Sequence, residues 1–345
     1  MTTIKDIAEY TGVSATTVSN VIHGRRNRVS EETVARIQKA IEELGYVPNL
    51  FARSLVSSSS RVIALINFVP TVAEAAFSDE AFQMGFLSTM ESSLKKSGYY
   101  LMFRRVENVD ELKEFLQNWN LDGIFVTGAC DEEFVDELKA VTTPVIYIDS
   151  YARDGVFEVG HDDYEGGRLA TSYLISKGHR RIVFASTALR DGRYMEHRYQ
   201  GYLDALAEAG IEADPGLAYE LGLDPDSCRK TAESIAALND VTAVLSTTDI
   251  MAAGLMAAFK DMGMSLPEDY SFVGFDDSPL SHMITPRLTT VRQDMRDKAR
   301  TASELMLRLL GAGQDDKGDA NAPDKPGRTV LPVELVIRDS VTDRR

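Results

Sequence analysis

Two architectures follow one another in this sequence: a small all-α head, then an α/β core of two doubly wound parallel-sheet lobes. Three observations predict them. Residues 3–22 hold two short helical patterns that meet at a glycine. From Arg61 onward, short runs of apolar residues alternate with helical patterns, as buried parallel strands and their crossover helices do. The strands are too many for one comfortable core, and 345 residues with 44% hydrophobic content suffice for two.

In the head, Ile4, Ile7 and Ala8 lie three and four apart, and Val18, Val21 and Ile22 repeat the spacing. Gly12 between them supplies the positive φ of a sharp turn. Ser14 stands where an N-cap belongs. This is a helix-turn-helix, whose second helix is built to lie in the major groove of DNA. Ser30 is placed to cap a third helix, with Glu31 and Glu32 favoured in its first turn. Val34, Ile37, Ile41 and Leu44 form its buried stripe, and Gly45 stops it. The head spans 1–46. Residues 47–60 are a joint: one or two helical turns capped by Asn49, then Ser57–Ser60. A helix that short is unstable in water unless something else orders it.

The core spans 61–345. Strands are expected at 62–66, 100–103, 123–127, 145–148, 182–185, 243–246 and 272–275. Helices are expected at 83–97, 110–118, 132–140, 164–177, 198–209, 228–238, 249–262 and 294–310. Residues 311–328 are polar and rich in Gly, Asp and Pro, and read as a surface loop.

Net charge is −16, yet residues 1–60 carry +1 and the remaining 285 carry −17. DNA repels the acidic bulk, so only the head docks. Arg25, Arg26 and Arg28 cluster just after the second helix, where phosphates would lie. Cys130 and Cys228 are the only cysteines, too few for a disulfide framework, and both read as buried small hydrophobes. No leader and no membrane-spanning apolar run is visible, so a cytoplasmic protein is expected.

Catalytic signals are thin. The sequence holds no G-x-S-x-G elbow, P-loop or G-x-G-x-x-G. The five histidines are scattered without metal-ligand spacing, so no metal and no cofactor is expected. Strand ends are more telling, because open α/β sheets bind ligands at their carboxyl ends. Asp149, Thr248 with Asp249, and Asp276 with Asp277 each follow a strand, and Arg198 opens a helix after another. Carboxylates accept paired hydroxyls and Arg donates a fork, a set that suits a polyhydroxylated ligand.

These residues resemble the LacI family of bacterial transcriptional regulators over essentially the whole chain. The marks are Ile4–Ala8, Gly12–Ser14, Thr17–Ser19, Arg28–Ser30, Gly45–Asn49 and Ala52–Leu55, then Asp163–Arg168, Lys177–Ile182, Gly274–Asp277 and Pro286–Val291. The resemblance implies a helix-turn-helix head, a hinge helix, and a core like periplasmic sugar-binding proteins. Its lobes are joined by three crossovers, expected near 161, near 291 and around 326–330. Lobe one would hold 61–161 and 292–326, and lobe two 162–291 and 327–345.

The resemblance also implies a homodimer on a pseudo-palindromic operator, one recognition helix per half-site. Ala15, Thr16 and Asn20 match its base-reading positions. Ser14, Thr17, Ser19, Ser30, Thr33 and Asn49 match phosphate or positioning contacts. His23, Arg28, Tyr46 and Ala52 fall within the same DNA-contacting stretch. Leu55 matches a leucine that wedges into the minor groove. Asn20 stands where the best-known members carry Arg, and Asn favours adenine. Asp149, Arg198, Thr248, Asp249 and Asp276 match effector contacts, with Phe77, Phe68 or Phe82 as an apolar platform. The expected function is an effector-controlled repressor of carbohydrate genes. A nucleobase or phosphocarrier effector and a sugar-binding protein without regulation stay open beside it, and no enzyme is expected. The C-terminal tail has no heptad extension, which favours a dimer over a tetramer.

Overall fold

The computed structural model describes residues 2–22, 29–46, 59–69, 80–128, 132–151, 155–189, 193–238, 240–312 and 325–344, with the side chains of 80–83 excepted. The chain divides into two compact units, Met1–Ser60 and Arg61–Arg345.

In the first unit, α1 (Ile4–Thr11), α2 (Ala15–Ile22) and α3 (Glu31–Glu43) form a three-helix head. Thr3 and Asp6 make a reciprocal capping box on α1, and Gly12 ends it at φ 68°. The Ser14 hydroxyl accepts from Thr17 N at 3.1 Å, and that of Ser30 accepts from Thr33 N at 3.3 Å. Ile7, Val18, Val21, Val34, Ile37 and Ala40 are the buried centre. Tyr46 packs on its edge. The Thr2 hydroxyl donates to Leu44 O at 2.8 Å, tying the chain start to the end of α3.

The second unit carries two six-stranded sheets. The first is ordered β11-β5-β4-β3-β1-β2, all parallel. Its strands are β1 (Val62–Phe68), β2 (Tyr100–Val106), β3 (Gly123–Gly128), β4 (Val145–Ile148), β5 (Phe157–His161) and β11 (Gly327–Leu331). The second is ordered β12-β10-β9-β8-β6-β7, with only β12 antiparallel. It is built from β6 (Ile182–Ser186), β7 (Ala218–Glu220), β8 (Ala243–Ser246), β9 (Ser271–Asp276), β10 (Thr289–Arg292) and β12 (Glu334–Val336).

Helices cover both faces of each sheet, so the strands are apolar on both sides. In β1, Ile63 and Leu65 pack under α4 (Glu80–Lys96) and α12 (Met295–Leu309). Ala64, Ile66 and Phe68 pack on the opposite face, with α5 (Val109–Asn118) and α6 (Glu132–Lys139). The second sheet repeats this plan. Val183, Val244 and Phe272 meet α9 (Pro225–Ala236) and α10 (Asp249–Asp261). Phe184, Leu245 and Phe275 meet α7 (Asp163–Ser176) and α8 (Tyr194–Glu208). The short α11 (Pro279–Met283) follows β9.

Five of the twelve described strands, β5, β7, β10, β11 and β12, fall outside the seven that the sequence predicts. Residues 327–331 pair with β5 in the first sheet rather than opening the second lobe, so the last crossover lies beyond Leu331. The run Gly327-Arg328-Thr329-Val330-Leu331 is an edge strand, and its polar residues hid it. β5, with Glu158 and His161 among its five residues, was also missed as a strand. Cys228 is buried in the second lobe, and burial raises its thiol pKa. Cys130 lies outside the described residues.

Candidate functional site

The carboxyl ends of β4, β5, β6, β8 and β9 bring a charged cluster together. Backbone strain gathers there. Asp149 and Tyr151 after β4 stand at φ 51°, and Asp276 and Asp277 at the end of β9 stand at φ 113° and 54°. Positive φ in side-chain-bearing residues costs free energy and concentrates at functional sites.

Arg198 is the pivot of the second-lobe half. It lies in the second turn of α8 and is 4% exposed. Its guanidinium holds Asp163 of α7 at 2.8 and 2.9 Å and donates to Thr247 O at 2.6 Å. It stacks 3.5 Å over the Phe275 ring. Burial opposes its charge, but Asp163 and Asp276 outweigh burial and raise its pKa. Glycine allows this approach: a Cβ on Gly167 of α7 would sit 2.1 Å from Arg198 O, and one on Gly201 of α8 would sit 2.1 Å from Tyr164 O. The two helices therefore touch backbone to backbone.

Asp149 supplies the first-lobe half. Its Oδ2 is bound by Lys298 of α12, whose side chain is fully buried. Burial pushes the Asp149 pKa up, but Lys298 and its other charged neighbours outweigh burial and hold the carboxyl below its ordinary value. His161 closes β5, fully buried. Neither of its ring nitrogens makes a hydrogen bond of normal geometry, although the Gln293 amide lies alongside. Burial, then Lys298, push its pKa down to about 3, so the ring is neutral. Gln293 donates to Asp276 at 2.7 Å.

Tyr151 joins the two halves. Its hydroxyl donates to Asp163 at 2.6 Å, and its ring stacks on His197 of α8 at 4.2 Å. Arg328 of β11 lies 3.6 Å above the same ring. Two crossings tie a first-lobe loop to second-lobe helices.

Several expectations change. Asp249 is fully buried, and both its oxygens are engaged within the second lobe, by Ser278 N at 2.7 Å and the Thr290 hydroxyl at 2.6 Å. It is a structural tie rather than an open ligand contact. Burial and the neighbouring Asp276 push its pKa well above the ordinary carboxylate value. The Thr248 hydroxyl caps α10 by accepting from Met251 N at 3.3 Å. Phe68 is core, its ring 4.2 Å from Phe134. Asp277 turns to a separate network with Arg338 and Arg292. Phe77 lies outside the described residues, as does the side chain of Phe82.

His161, Lys298 and Tyr151 were missing from the sequence reading. Lys298 had a signal: it lies four residues before Ala302 and seven before Leu305, on the buried stripe of α12. A lysine on that stripe needs a buried partner.

In the head, Ser14, Ala15 and Thr16 are exposed at the start of α2, and Thr17, Ser19 and Asn20 are half-buried. Ser30 is exposed and Thr33 half-buried at the start of α3. His23, Arg28, Asn49, Ala52 and Leu55 lie outside the described residues. Among the described residues no group of His, Cys, Asp and Glu is arranged to hold a metal ion, and no helix is long and apolar enough to cross a membrane.

Residues 3–49 match the family described as bacterial regulatory proteins, lacI family. Residues 171–341 match a periplasmic binding protein-like domain. The chain is 32% identical over 352 residues to the HTH-type transcriptional repressor PurR of Vibrio vulnificus, covering 99% of both. It is 33% identical over 351 residues to PurR of Mannheimia succiniciproducens, again covering 99% of both. Among solved structures, the lac repressor dimer bound to operator and the anti-inducer ONPF superposes with a TM-score of 0.84 at 24% identity, covering 99% of both chains. A complex of the transcriptional regulator CelR with cellobiose superposes at 0.71 with 27% identity, over 99% of this chain and 100% of that one. A helix-turn-helix head ahead of a two-sheet receptor core, with relatives of matching length, leads to one assignment: the chain belongs to the lacI family of bacterial regulatory proteins, DNA-binding repressors rather than enzymes.

Proposed function

We propose that this protein is a cytoplasmic homodimeric repressor whose operator affinity is set by a neutral, hydroxyl-rich effector, a sugar, held at the strand ends. The cluster of Asp149, His161, Arg198 and Asp276, with Tyr151 spanning the two lobes, supports this reading most. An effector seated there alters the Tyr151 crossings, and so shifts the balance between lobe orientations that favour or disfavour the operator. In this reading Ala15, Thr16 and Asn20 read base edges. Ser14, Thr17, Ser19, Ser30 and Thr33 fix the head on phosphates. Leu55 wedges into the minor groove.

The PurR relatives draw attention to purines as effectors. A nucleobase gains from an open aromatic face to stack on. Tyr151 has His197 on one side and Arg328 on the other, and Arg198 covers a face of Phe275. Among the described residues these covered ring faces favour hydroxyls over a flat ring.

Exposed apolar side chains on and beside the edge strand β2 favour a dimer. Tyr100 and Phe103 of β2, Met84 of α4 and Trp119 after α5 are all exposed. Exposed apolar side chains on both faces of a sheet edge suit a pairing surface.

Selection from random DNA, followed by gel shifts with and without saccharides and purines, tests the reading. A palindromic consensus whose binding responds to a saccharide is the expected result. A response to hypoxanthine or guanine alone overturns the sugar effector. The absence of any preferred sequence overturns the repressor.

A further inference from the structure

Arg61 stands at φ 58°, a left-handed backbone that a long side chain rarely adopts. Among the described residues that carry a side chain at positive φ, it is the one away from the strand carboxyl ends. It precedes β1, so it lies at the opposite, amino edge of the all-parallel first sheet. Its neighbours hold it there. Its N–H donates to the Asp122 carboxylate at 3.2 Å, its carbonyl accepts from Tyr100 N at 2.8 Å, and its guanidinium lies 4.9 Å from the centre of the Tyr99 ring. The holders are themselves fixed. Asp122 leads into β3, and its own N–H donates to Val62 O at 2.8 Å. Tyr99 is buried, and its N–H donates to Leu94 O near the end of α4 at 3.1 Å. Strain of this kind persists only where the surroundings over-determine it.

Its place in the chain gives the strain a use. Arg61 is where the chain arriving from the head enters the core, at the boundary between the two compact units. The Ser57–Ser60 run before it has four residues, a reach of about 14 Å at most. A flexible run that short passes on the position and direction of a fixed end, where a long one averages them out. Arg61 also sits one strand in from the edge strand β2, about 4.8 Å away, because β1 pairs Val62 with Tyr100. β2 carries the exposed apolar residues that favour a dimer. In that dimer both joints start beside the subunit contact, at points set by a sheet rather than by a loop.

We propose that Arg61, held by Asp122 and Tyr99, is a specificity-determining residue for the operator: it fixes where each joint begins and which way it points, and so sets the half-site spacing that the dimer accepts. Arg61 acts here through the joint and not on the bases. The proposal rests on the homodimer reading above, and the experiment separates the two.

The probe is the palindrome that the full-length wild type selects from random DNA, remade with one or two base pairs added or removed between its halves. Gel shifts measure binding to each. The wild type is expected to favour one spacing over its neighbours by about ten-fold or more. Arg61→Gly takes the same φ without strain and leaves the backbone free to depart from it. This variant is expected to narrow the preference to about two-fold, and to bind the best spacing about ten-fold more weakly, because the second head loses effective concentration. Asp122→Ala is expected to do the same, although removing an acid by itself strengthens attraction to DNA. Binding to a single half-site stays as in the wild type for both. Full spacing discrimination in either variant overturns the inference and leaves the dimer standing. An equal loss at every spacing in Arg61→Gly, with Asp122→Ala unchanged, makes Arg61 a phosphate contact and overturns it too. A fall in melting temperature in both variants, with binding lost at every spacing alike, leaves only a structural role and has the same consequence. A wild type that takes a single half-site as tightly as the palindrome, or selects no palindrome, overturns the homodimer together with the inference.

Discussion

Arg198 and Asp163 show how a single buried pair organises the cleft. Each is almost fully enclosed, and each has the other as its charge partner. Replacing Arg198 by Met leaves a buried carboxylate without its cation, which costs about 3–5 kcal/mol. Urea unfolding of Arg198→Met is expected to show a loss of that order, and a loss under 1 kcal/mol would mean the pair is solvated. His161 gives a pH signature. Its native pKa is about 3, against 6.5 for a free histidine. Below pH 6.5 the unfolded chain takes up a proton that the native ring refuses, so stability falls as pH drops from 6.5 toward 3. Above 6.5 this contribution is flat. The slope is about 1.4 kcal/mol per pH unit once the unfolded histidine is fully charged. Asp249 works in the opposite sense, because its raised native pKa makes the folded state hold a proton that the unfolded chain releases. Comparing wild type with His161→Phe removes that background. A stability difference that does not change between pH 7 and pH 4 would refute the buried neutral ring.

At the scale of elements, α2 and the α7–α8 pair are the parts whose sequences are most tightly bound to their roles. The start of α2 is capped by Ser14 and leaves Ala15 and Thr16 exposed, while Val18 and Val21 anchor it. Asn20 lies on the same helix, half-buried. Asn20→Ala is expected to lose about 1–3 kcal/mol of discrimination at one adenine of each half-site, with the rest of the preference intact. Competition gel shifts with single-base operator variants measure it, and a uniform loss across all sequences would assign Asn20 to the backbone instead. Between α7 and α8 there is no room for a methyl group. Gly201→Ala forces the helices apart, at a cost of about 1–3 kcal/mol. Because Arg198 leaves α8 one turn earlier, the same variant is expected to weaken effector binding. Thermal melting and calorimetry read the two effects separately. The helices α4 to α10 and α12 were legible from periodicity because each buries a stripe. β5 and β11 were not, since Glu158, His161 and Arg328 interrupt the apolar runs. Those polar residues belong to the cleft, so the site itself concealed two strands.

At the scale of the molecule, charge and apolar surface divide the work. The 285 residues after Ser60 carry −17, which leaves contact with DNA to the first 60. The edge strand β2 keeps Tyr100 and Phe103 about half exposed, at 55% and 53%. A charge placed there blocks pairing. Phe103→Glu is expected to sediment as a monomer at micromolar concentration and to bind a palindromic operator far more weakly, because one half-site contact is lost. A dimer that survives the substitution would move the interface elsewhere.

The sequence alone was enough for the class of fold, the capped helix-turn-helix and the positions of Asp149 and Asp276 at strand ends. Those features are local: they follow from periodicity, caps and the rule that parallel sheets bind at their carboxyl edge. The tertiary structure decided how each polar group is used. It engaged both oxygens of Asp249 inside the second lobe, drew β11 into the first sheet, and set Lys298, His161 and Tyr151 around the cleft. A charged side chain is read from sequence as solvated, because burial without a partner is too costly. Only the fold shows that Lys298, 149 positions away in the chain, has its partner in Asp149.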